Sequence, residues 1–276
     1  MTANSAMTGN DEVHDQAPAA GPAKGSLRLL SYNIQVGVTS NRLHHYLTQA
    51  WRHVLPHPSS FDNLDRIARL ISNYDLVAIQ EADGGSMRSY FVNQVEYLAR
   101  RGRFPFWCHQ TNRDLGKFAQ HSNGLLSKIR PNLISQYKLP GLIPGRGVIL
   151  VELGQAPKPL AVLLVHLALG KRARVRQFDF IADLIRDYEH AVVMGDFNCV
   201  PESREMDVLL NKSRLCEPAQ VLHTFPSWRP YRNIDHILVS PSLKISNLQV
   251  IQHPLSDQLP IAVEIEVPDE VELLAG

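Results

Sequence analysis

Short apolar or β-branched runs bounded by turn residues recur along the chain and predict buried strands. They occupy residues 27–34, 75–80, 146–153, 160–166, 190–196, 233–240 and 259–267. Between some of them, apolar residues recur every three or four positions, which predicts helices over 64–71, 91–98 and 178–188. Strands thus outnumber helices, and no Pro/Gly-rich break divides the chain after residue 26. We therefore expect one layered domain.

A helix–strand–carboxylate unit occurs twice. The helix that ends at Tyr74 is followed by DLVAIQE, which closes on Glu81, and the helix that ends at Tyr188 is followed by EHAVVMGD, which closes on Asp196. Two copies alone are compatible with coincidence. A two-fold arrangement of the sheets would bring both strand ends to a common cleft.

The stretch AVVMGDFN, residues 191–198, carries two polar residues at the end of a predicted buried strand. Because alternate residues of a strand share a face, Asp196 and Asn198 point the same way while Phe197 turns back to pack. A turn capped by Asp and Asn after Gly195 explains this stretch equally well. Further strand ends carry chemically capable side chains, namely Asn33, Glu81, His166, Asp235 and Asp257.

Together these side chains fit the hydrolysis of a phosphate ester. Oxygen ligands such as Glu81, Asn33 and Asp257 suit a hard cation, Mg²⁺ or Mn²⁺, rather than zinc. Asp196 is the natural base beside an attacking water, and His166 and Asn198 can donate hydrogen bonds to the transition state. Taken singly, Asn33, Glu81 and Asp257 are equally compatible with turn or helix-cap roles.

Seven short motifs, in this order, resemble the signature of the endonuclease/exonuclease/phosphatase superfamily. They are SYN at 31–33, QE at 80–81, NGLLS at 123–127, VHL at 165–167, GDFN at 195–198, IDHILVS at 234–240 and SDQLP at 256–260. The resemblance covers about residues 26–268. It implies an α/β (α+β) fold, a DNase I-like four-layer sandwich of two packed mixed β-sheets flanked by helices, with a magnesium-dependent phosphoesterase site at one end.

The resemblance also implies individual roles. Glu81 and Asn33 would hold the metal together with Asp257, while Asp196 and Asn198 would activate and orient water. His166 would stabilise the transition state. Asp235 would orient the histidine that closes the last motif in family members.

That histidine is missing here, because the chain has Ser256, Asp257 and Gln258 where the family has Ser-Asp-His. Gln258 can donate a hydrogen bond but cannot carry charge or transfer a proton, so catalysis should be attenuated. The alternative is a catalytically silent member that binds a phosphorylated ligand or protein partner. We expect His236 to lie in the core, and we give His253, in the loop before Gln258, little weight as a substitute.

Two segments are candidates for substrate contact. GKRARVRQ, residues 170–177, sets four cations at a helix N-terminus, where a nearby anion would offset their repulsion by the helix dipole; from it we select Arg174 and Arg176. The loop before Asp235 carries Trp228 and Arg232, which could stack on a base or clamp a phosphate. A solvated basic face and a packed loop anchor are the ordinary explanations.

Composition limits the remaining possibilities. The net charge of +1 gives no global attraction to nucleic acid, so the substrate could equally be a sugar or inositol phosphate or a phospholipid headgroup. No apolar run approaches the ~20 residues of a membrane span. Three cysteines without CxxC spacing predict a reducing, cytoplasmic location, and nothing in the sequence indicates an oligomeric state.

Three segments lie outside the predicted core. Residues 1–25 are expected to form a disordered tail, and 269–276 a C-terminal tail flanking a domain at 26–268. The insertion at 43–61 holds four histidines without metal-binding spacing. We interpret it as a candidate lid over the cleft.

Overall fold

The computed structural model describes residues 25–35, 59–114, 116, 118–142 and 144–274. The N-terminal tail before residue 25 and residues 43–58 of the candidate lid lie outside the described residues. The described strands are β1 (Ser26–Asn33), β2 (Leu76–Asp83), β3 (Phe106–Asp114), β4 (Gln120–Ser127), β5 (Leu133–Lys138), β6 (Gly147–Leu153), β7 (Leu160–His166), β8 (His190–Asp196), β9 (Asp235–Val239), β10 (Lys244–Val250) and β11 (Ile261–Glu266). The described α-helices are α1 (Ser59–Ile71), α2 (Gln94–Gly102), α3 (Lys171–Leu184) and α4 (Arg204–Lys212).

These strands form two mixed sheets. The six-stranded sheet has the order β10-β11-β1-β2-β4-β3, and the five-stranded sheet has the order β5-β6-β7-β8-β9. Each sheet contains one parallel pair, β1 with β2 and β7 with β8, and the remaining pairs are antiparallel. The repeated unit of the sequence therefore supplies one central parallel strand to each sheet.

Three apolar clusters separate four layers. One lies between the sheets and includes Ala78 and Met194; another joins the five-stranded sheet to α3 and α4; the third joins the six-stranded sheet to α1 and α2. Strands β7 and β8 are buried along their whole length, as strands covered on both faces must be. The predicted four-layer, DNase I-like sandwich is confirmed.

The sequence pattern missed strands β3, β4, β5 and β10 and the helix α4. Strands β3, β5 and β10 lie at sheet edges, and no residue of β5 or β10 is fully buried, so neither shows an apolar run. Strand β4 is polar where it approaches the cleft. The helix predicted from residue 91 was placed too early, because α2 begins at Gln94, where the Asn93 side chain accepts from the main-chain N–H groups of Val95 and Glu96.

The described part of the expected C-terminal tail packs against the domain. Val271 is buried in the inter-sheet cluster, and Glu270 accepts a hydrogen bond at 2.9 Å from the ring of His190. Ordered packing of this kind extends the domain beyond residue 268. Cys108, Cys199 and Cys216 are free thiols. Within the described residues, no helix combines the length and apolarity needed to cross a bilayer.

Candidate active site

The strand ends that carry polar side chains meet at one end of the sandwich. In the five-stranded sheet, Asp196 is paired with His166 on the parallel strand β7 and with Asp235 on the antiparallel strand β9. In the six-stranded sheet, the end of β1 pairs Asn33 with Gln80, which places Glu81 at the same edge. Because the two sheets pack face to face, their polar edges form one cluster.

The centre of this cluster consists of Glu81, His166 and Asp196, whose ligand atoms all lie within 4.8 Å of one another. His166 Nε2 is 3.7 Å from Glu81 Oε1 and 3.7 Å from Asp196 Oδ2. Two carboxylates and an imidazole at this spacing can share one divalent cation. The geometry thus adds His166 to the possible ligands.

Three donors hold the Asp196 carboxylate. Asn33 Nδ2 and Gln258 Nε2 donate to Oδ2 at 3.2 and 3.0 Å, and the main-chain N–H of Asn198 donates to Oδ1 at 2.9 Å. The Asn198 side chain is turned away and donates to the carbonyl of Leu167 at 3.0 Å. Asp196 is therefore fixed in one orientation, with Asn198 acting on it through the backbone.

Two predicted metal ligands occupy different settings. Asn33 presents its amide nitrogen to Asp196, while its oxygen accepts from the main-chain N–H of Gln35 at 3.1 Å, so ligation would require the amide to turn. Asp257 is buried and accepts from the Ser256 hydroxyl at 3.3 Å. Among the described residues, it stands outside the set of ligand atoms within 4.8 Å.

Gln258 lies where the last family motif places its histidine, against the Asp196 carboxylate. Its Oε1 is buried and has no hydrogen-bond partner among the described residues. An unpaired buried acceptor of this kind costs about 1–3 kcal/mol unless a ligand or water supplies a donor. Gln258 thus offers one amide face to Asp196 and an open acceptor to whatever occupies the site.

The loop before β9 supports this motif from behind. Ser227 donates through its main-chain N–H to the carbonyl of Asp257 at 2.7 Å and through its hydroxyl to that of Ser256 at 2.6 Å. Thr224 donates its hydroxyl to Asp235. The loop therefore positions Ser256–Gln258 against β9.

The backbone is strained at two site residues. Glu81 has φ +56° within a register shift between β2 and β4, and Asn198 has φ +55°. Positive φ at a non-glycine residue costs on the order of 1–3 kcal/mol and persists only where the surrounding structure enforces it. At Glu81 the irregularity re-aims the carboxylate toward the cluster.

Burial disfavours the charged form of every carboxyl group in and beside the cluster. Desolvation raises the pKa of Glu81 and of Asp196, and the Asp196 charge raises that of Glu81 further. Burial and then the charge of Asp196 raise the pKa of Asp235 well above its ordinary value. Burial, followed by the charges of Glu81 and Asp196, raises the pKa of Asp257 to about 7. Closely spaced carboxylates of this kind fit a hard divalent cation, which would relieve their repulsion.

We expect the Asp257 carboxyl to lower the stability of the metal-free protein as the pH rises from about 4 to about 7, while the lowered pKa values of His121 and His166 act in the opposite direction below about pH 6.5. The Asp257 carboxyl titrates near 3.8 when exposed, whereas the folded form holds its proton up to about pH 7. The unfolded chain thus binds fewer protons in this window, and each pH unit removes up to about 1.4 kcal/mol. Thermal melts of the native chain and Asp257→Asn in a chelator at about pH 5 and about pH 8 give the slope of stability against pH, and Asp257→Asn should gain stability relative to the native chain as the pH rises. A slope unchanged in that variant contradicts the assignment.

Arg146, which sequence reasoning missed, contacts His166. Its Nη1 lies 2.6 Å from Nε2 and 2.9 Å from Nδ1 of the imidazole. Burial, followed by the charges of Arg146 and His121, lowers the pKa of His166 well below its ordinary value, which keeps the ring neutral near pH 7. The site therefore contains a fixed cation beside a neutral imidazole, which suits a phosphate group.

A cavity of about 770 Å³ opens from Glu81 and His166 toward solvent. It is also lined by His121 and Asn123 of β4, by Arg146 and by the loop that precedes α3. Burial, followed by the charge of Arg88, lowers the pKa of His121 to about 4. The volume of the cavity falls within the range of small-molecule sites.

The candidate substrate residues separate into two groups. Arg176 is exposed and lines the cavity. Arg174, in contrast, is buried, donates to Glu205 Oε1 at 2.6 and 3.2 Å, and donates to the carbonyls of Ala168 and Leu169. Its donors are committed to the fold, so its role is to position the loop after β7 and not to contact substrate.

The remaining candidates lie outside the cavity lining. Trp228 is half-buried, and the guanidinium of Arg232 stacks 6.0 Å from the Phe225 ring centroid. His236 is a buried core residue whose Nε2 is 2.8 Å from the Cys199 carbonyl oxygen. The carbonyl of His253 accepts from the Tyr32 hydroxyl at 3.1 Å. Neither histidine is among the described lining residues or ligand atoms of the cluster.

The topology and the position of the cluster define the DNase I-like class of phosphoesterase folds. The family model described as "Endonuclease/Exonuclease/phosphatase family" matches residues 30–258. The chain therefore belongs to the endonuclease/exonuclease/phosphatase family, whose members are hydrolases of phosphoester bonds and typically depend on a divalent metal. No curated protein matches the chain significantly in sequence.

Three solved structures illustrate the similarity. A family protein from Bacteroides thetaiotaomicron has a TM-score of 0.65 and 18% identity over 91% of this chain and 98% of that chain. A family protein from Beutenbergia cavernae has a TM-score of 0.69 and 17% identity over 88% of this chain and 72% of that chain. A mannosyl-6-phosphatase from B. thetaiotaomicron has a TM-score of 0.63 and 19% identity over 87% of this chain and 99% of that chain. At these identities the similarity establishes the fold.

Proposed function

We propose that this protein is a divalent-metal-dependent phosphoesterase in which Asp196 accepts a proton from the attacking water. The observation that carries the proposal is the convergence of Glu81, His166 and Asp196 within 4.8 Å beside the Arg146 guanidinium. The donor set fits Mg²⁺ or Mn²⁺, with Glu81 and Asp196 as first ligands and Asn33 available once its amide turns. When bound, the metal supplies charge neutralisation at the phosphate oxygens.

The chain's own residues divide the remaining work. Arg146 is placed to bind phosphate oxygens, and His166, neutral near pH 7, donates one N–H to them. Asn33 and the main-chain N–H of Asn198 keep the Asp196 carboxylate oriented. Asp235 lies beside Asp196 on β9 and is held by Thr224.

Gln258 attenuates this machinery in two ways. Its amide contributes no charge and no transferable proton, and its Nε2 adds a second donor, beside Asn33, to Asp196 Oδ2, which makes that oxygen a weaker acceptor for a proton from water. Its open Oε1 can still accept a hydrogen bond from the attacking water. We therefore propose slow turnover.

The cavity favours a compact phosphate ester as substrate. Its volume of about 770 Å³ suits a sugar phosphate or a phosphorylated headgroup. One structural neighbour is a mannosyl-6-phosphatase. Membership of the family is the support for a nuclease activity, which the hydrolysis of plasmid DNA tests in the same experiment.

A catalytically silent protein that binds a phosphorylated ligand is the second candidate function. The observation that favours it is the hydrogen bond from Gln258 Nε2 to Asp196 at 3.0 Å, which pairs the proposed base with an amide that cannot transfer a proton. In that case Arg146 and the cavity would still bind phosphate. Restoring a histidine at position 258 separates the two functions.

We expect Gln258→His to raise kcat by about 10–100-fold, because an imidazolium restores a charged, proton-transferring donor beside Asp196. Hydrolysis of p-nitrophenyl phosphate, bis-p-nitrophenyl phosphate and plasmid DNA with Mg²⁺ or Mn²⁺ measures this. Gln249→His, which places the same side chain at an exposed position of β10, is the control and should leave kcat unchanged. A native chain no faster than Asp196→Ala, together with an active Gln258→His, would establish the silent function instead.

A further inference from the structure

Large apolar side chains are exposed on three separate loops around the mouth of the cavity. Leu142, between β5 and β6, is 92% exposed, and Leu169, between β7 and α3, is 76% exposed; both line the cavity. Phe118, 67% exposed, lies in the β3–β4 connection, between the lining residues Arg113 and His121 in the chain. Single exposed apolar residues are ordinary, but two that line one opening, with a third on a connection flanked by lining residues, form a patch that a partner would cover. We call Phe118, Leu142 and Leu169 the apolar rim.

Cations accompany the apolar rim. Arg113, Lys171, Arg172 and Arg176 line the cavity, are exposed, and form no ion pair with another described residue. Glu81 is the sole acid among the described lining residues. Four unpaired positive charges at one opening contrast with a net charge of +1 for the whole chain. The mouth therefore attracts an anionic partner.

The start of α3 strengthens this preference. Lys171 and Arg172 open the helix, and Gly170 at its N-cap provides no side-chain acceptor for the first N–H groups. No acidic residue lies in the first turn. Cations at the positive end of a helix dipole are unfavourable unless an anion lies between or beside them.

We propose that the mouth of the cavity docks on an anionic lipid bilayer and receives a lipid phosphate ester as substrate. The apolar rim enters the headgroup region, and the four cations contact lipid phosphates, as in other proteins that bind at membrane interfaces. A nucleic-acid backbone matches the cations but leaves Leu142 and Leu169 against charged phosphates. The identity of the ester rests on the proposed function, whereas the docking does not.

Sedimentation of the full-length chain with vesicles tests the docking. In the presence of a chelator, we expect binding to vesicles of phosphatidylcholine with phosphatidylglycerol, little binding to phosphatidylcholine alone, and release at about 0.5 M salt. Replacing Leu142 and Leu169 together by serine should weaken vesicle binding about tenfold or more. The matched control is Leu133→Ser, an exposed leucine at the opposite end of β5, which should bind as the native chain does.

A charge-matched pair completes the test. Arg172→Gln with Arg176→Gln should reduce binding to anionic vesicles about tenfold, whereas Arg130→Gln with Lys244→Gln, which removes two exposed cations at the opposite end of the sandwich, should not. Equal vesicle binding by the native chain and the serine double variant would overturn the docking surface, as would binding of single-stranded DNA without binding of vesicles.

The docking and the proposed function fail separately. Hydrolysis of soluble p-nitrophenyl phosphate esters by the native chain requires no vesicle. A chain that hydrolyses them but does not bind anionic vesicles overturns the docking alone. A chain that binds vesicles through the apolar rim but hydrolyses neither soluble nor lipid phosphate esters overturns the phosphoesterase proposal and leaves the docking intact.

Discussion

Asp196→Asn is expected to lower kcat for phosphate ester hydrolysis by about 10³-fold while the protein stays folded. Asparagine keeps the size of the side chain and one acceptor for the amides of Asn33 and Gln258, but it removes both the base and one carboxylate of the cluster. The melting temperature of the metal-free variant should stay equal or rise, because a buried carboxylate beside Glu81 is unfavourable without a cation.

Steady-state kinetics and thermal melts on the same preparation measure both effects. Asp179→Asn, on the exposed side of α3 where Asp179 pairs with Lys212, is the matched control and should change neither quantity markedly. A kcat for Asp196→Asn within about threefold of the native value would remove Asp196 from the reaction and with it the assignment of the whole cluster.

Gly195→Ala is expected to destabilise the fold by several kcal/mol, on the order of 3 or more, with loss of soluble protein. Gly195 lies in β8 with φ +144°, between Val165 on β7 and His236 on β9. A Cβ atom there would lie 1.9 Å from the Val165 carbonyl oxygen, which is backbone and cannot move without separating the two central strands.

Urea unfolding of the two proteins gives the difference in free energy directly. Gly170→Ala is the control, since a Cβ at Gly170 has no neighbour within 4 Å and its φ is −88°. Gly170→Ala should lower the free energy of unfolding by about 1 kcal/mol or less. Native-like stability in Gly195→Ala would mean that β7 and β8 do not approach as closely as described.

The positions of the motif residues were predictable from two signals together, the apolar runs that precede them and the order of the motifs that resemble the family signature. Glu81, His166 and Asp196 each follow an apolar run, and a buried run that ends in a polar group fixes where that group must lie. Arg146 and His121 could not be found in this way. Both precede or begin strands that run antiparallel to the motif strands, so their positions depend on sheet register, which the sequence does not display.

The basic helix shows where a local rule was available. Arg174 precedes the buried Phe178 by four residues and therefore shares its inward face, whereas Arg172 and Arg176 share the outward face. Applied to α3, this spacing distinguishes a structural arginine from an exposed one. Its pairing with Glu205, on α4, required the tertiary structure.

Glu81 and Asp196 belong to different sheets, so the apolar layer between the sheets sets the distance between the two halves of the site. Ala78 and Met194, in that layer, precede these carboxylates by three and two residues. A methyl group added or removed there changes the thickness of the layer and hence the span across which one cation must be shared, and displacements of about 1 Å cost about 10²-fold in rate. The apolar layer between the sheets thus sets the spacing of the proposed metal ligands.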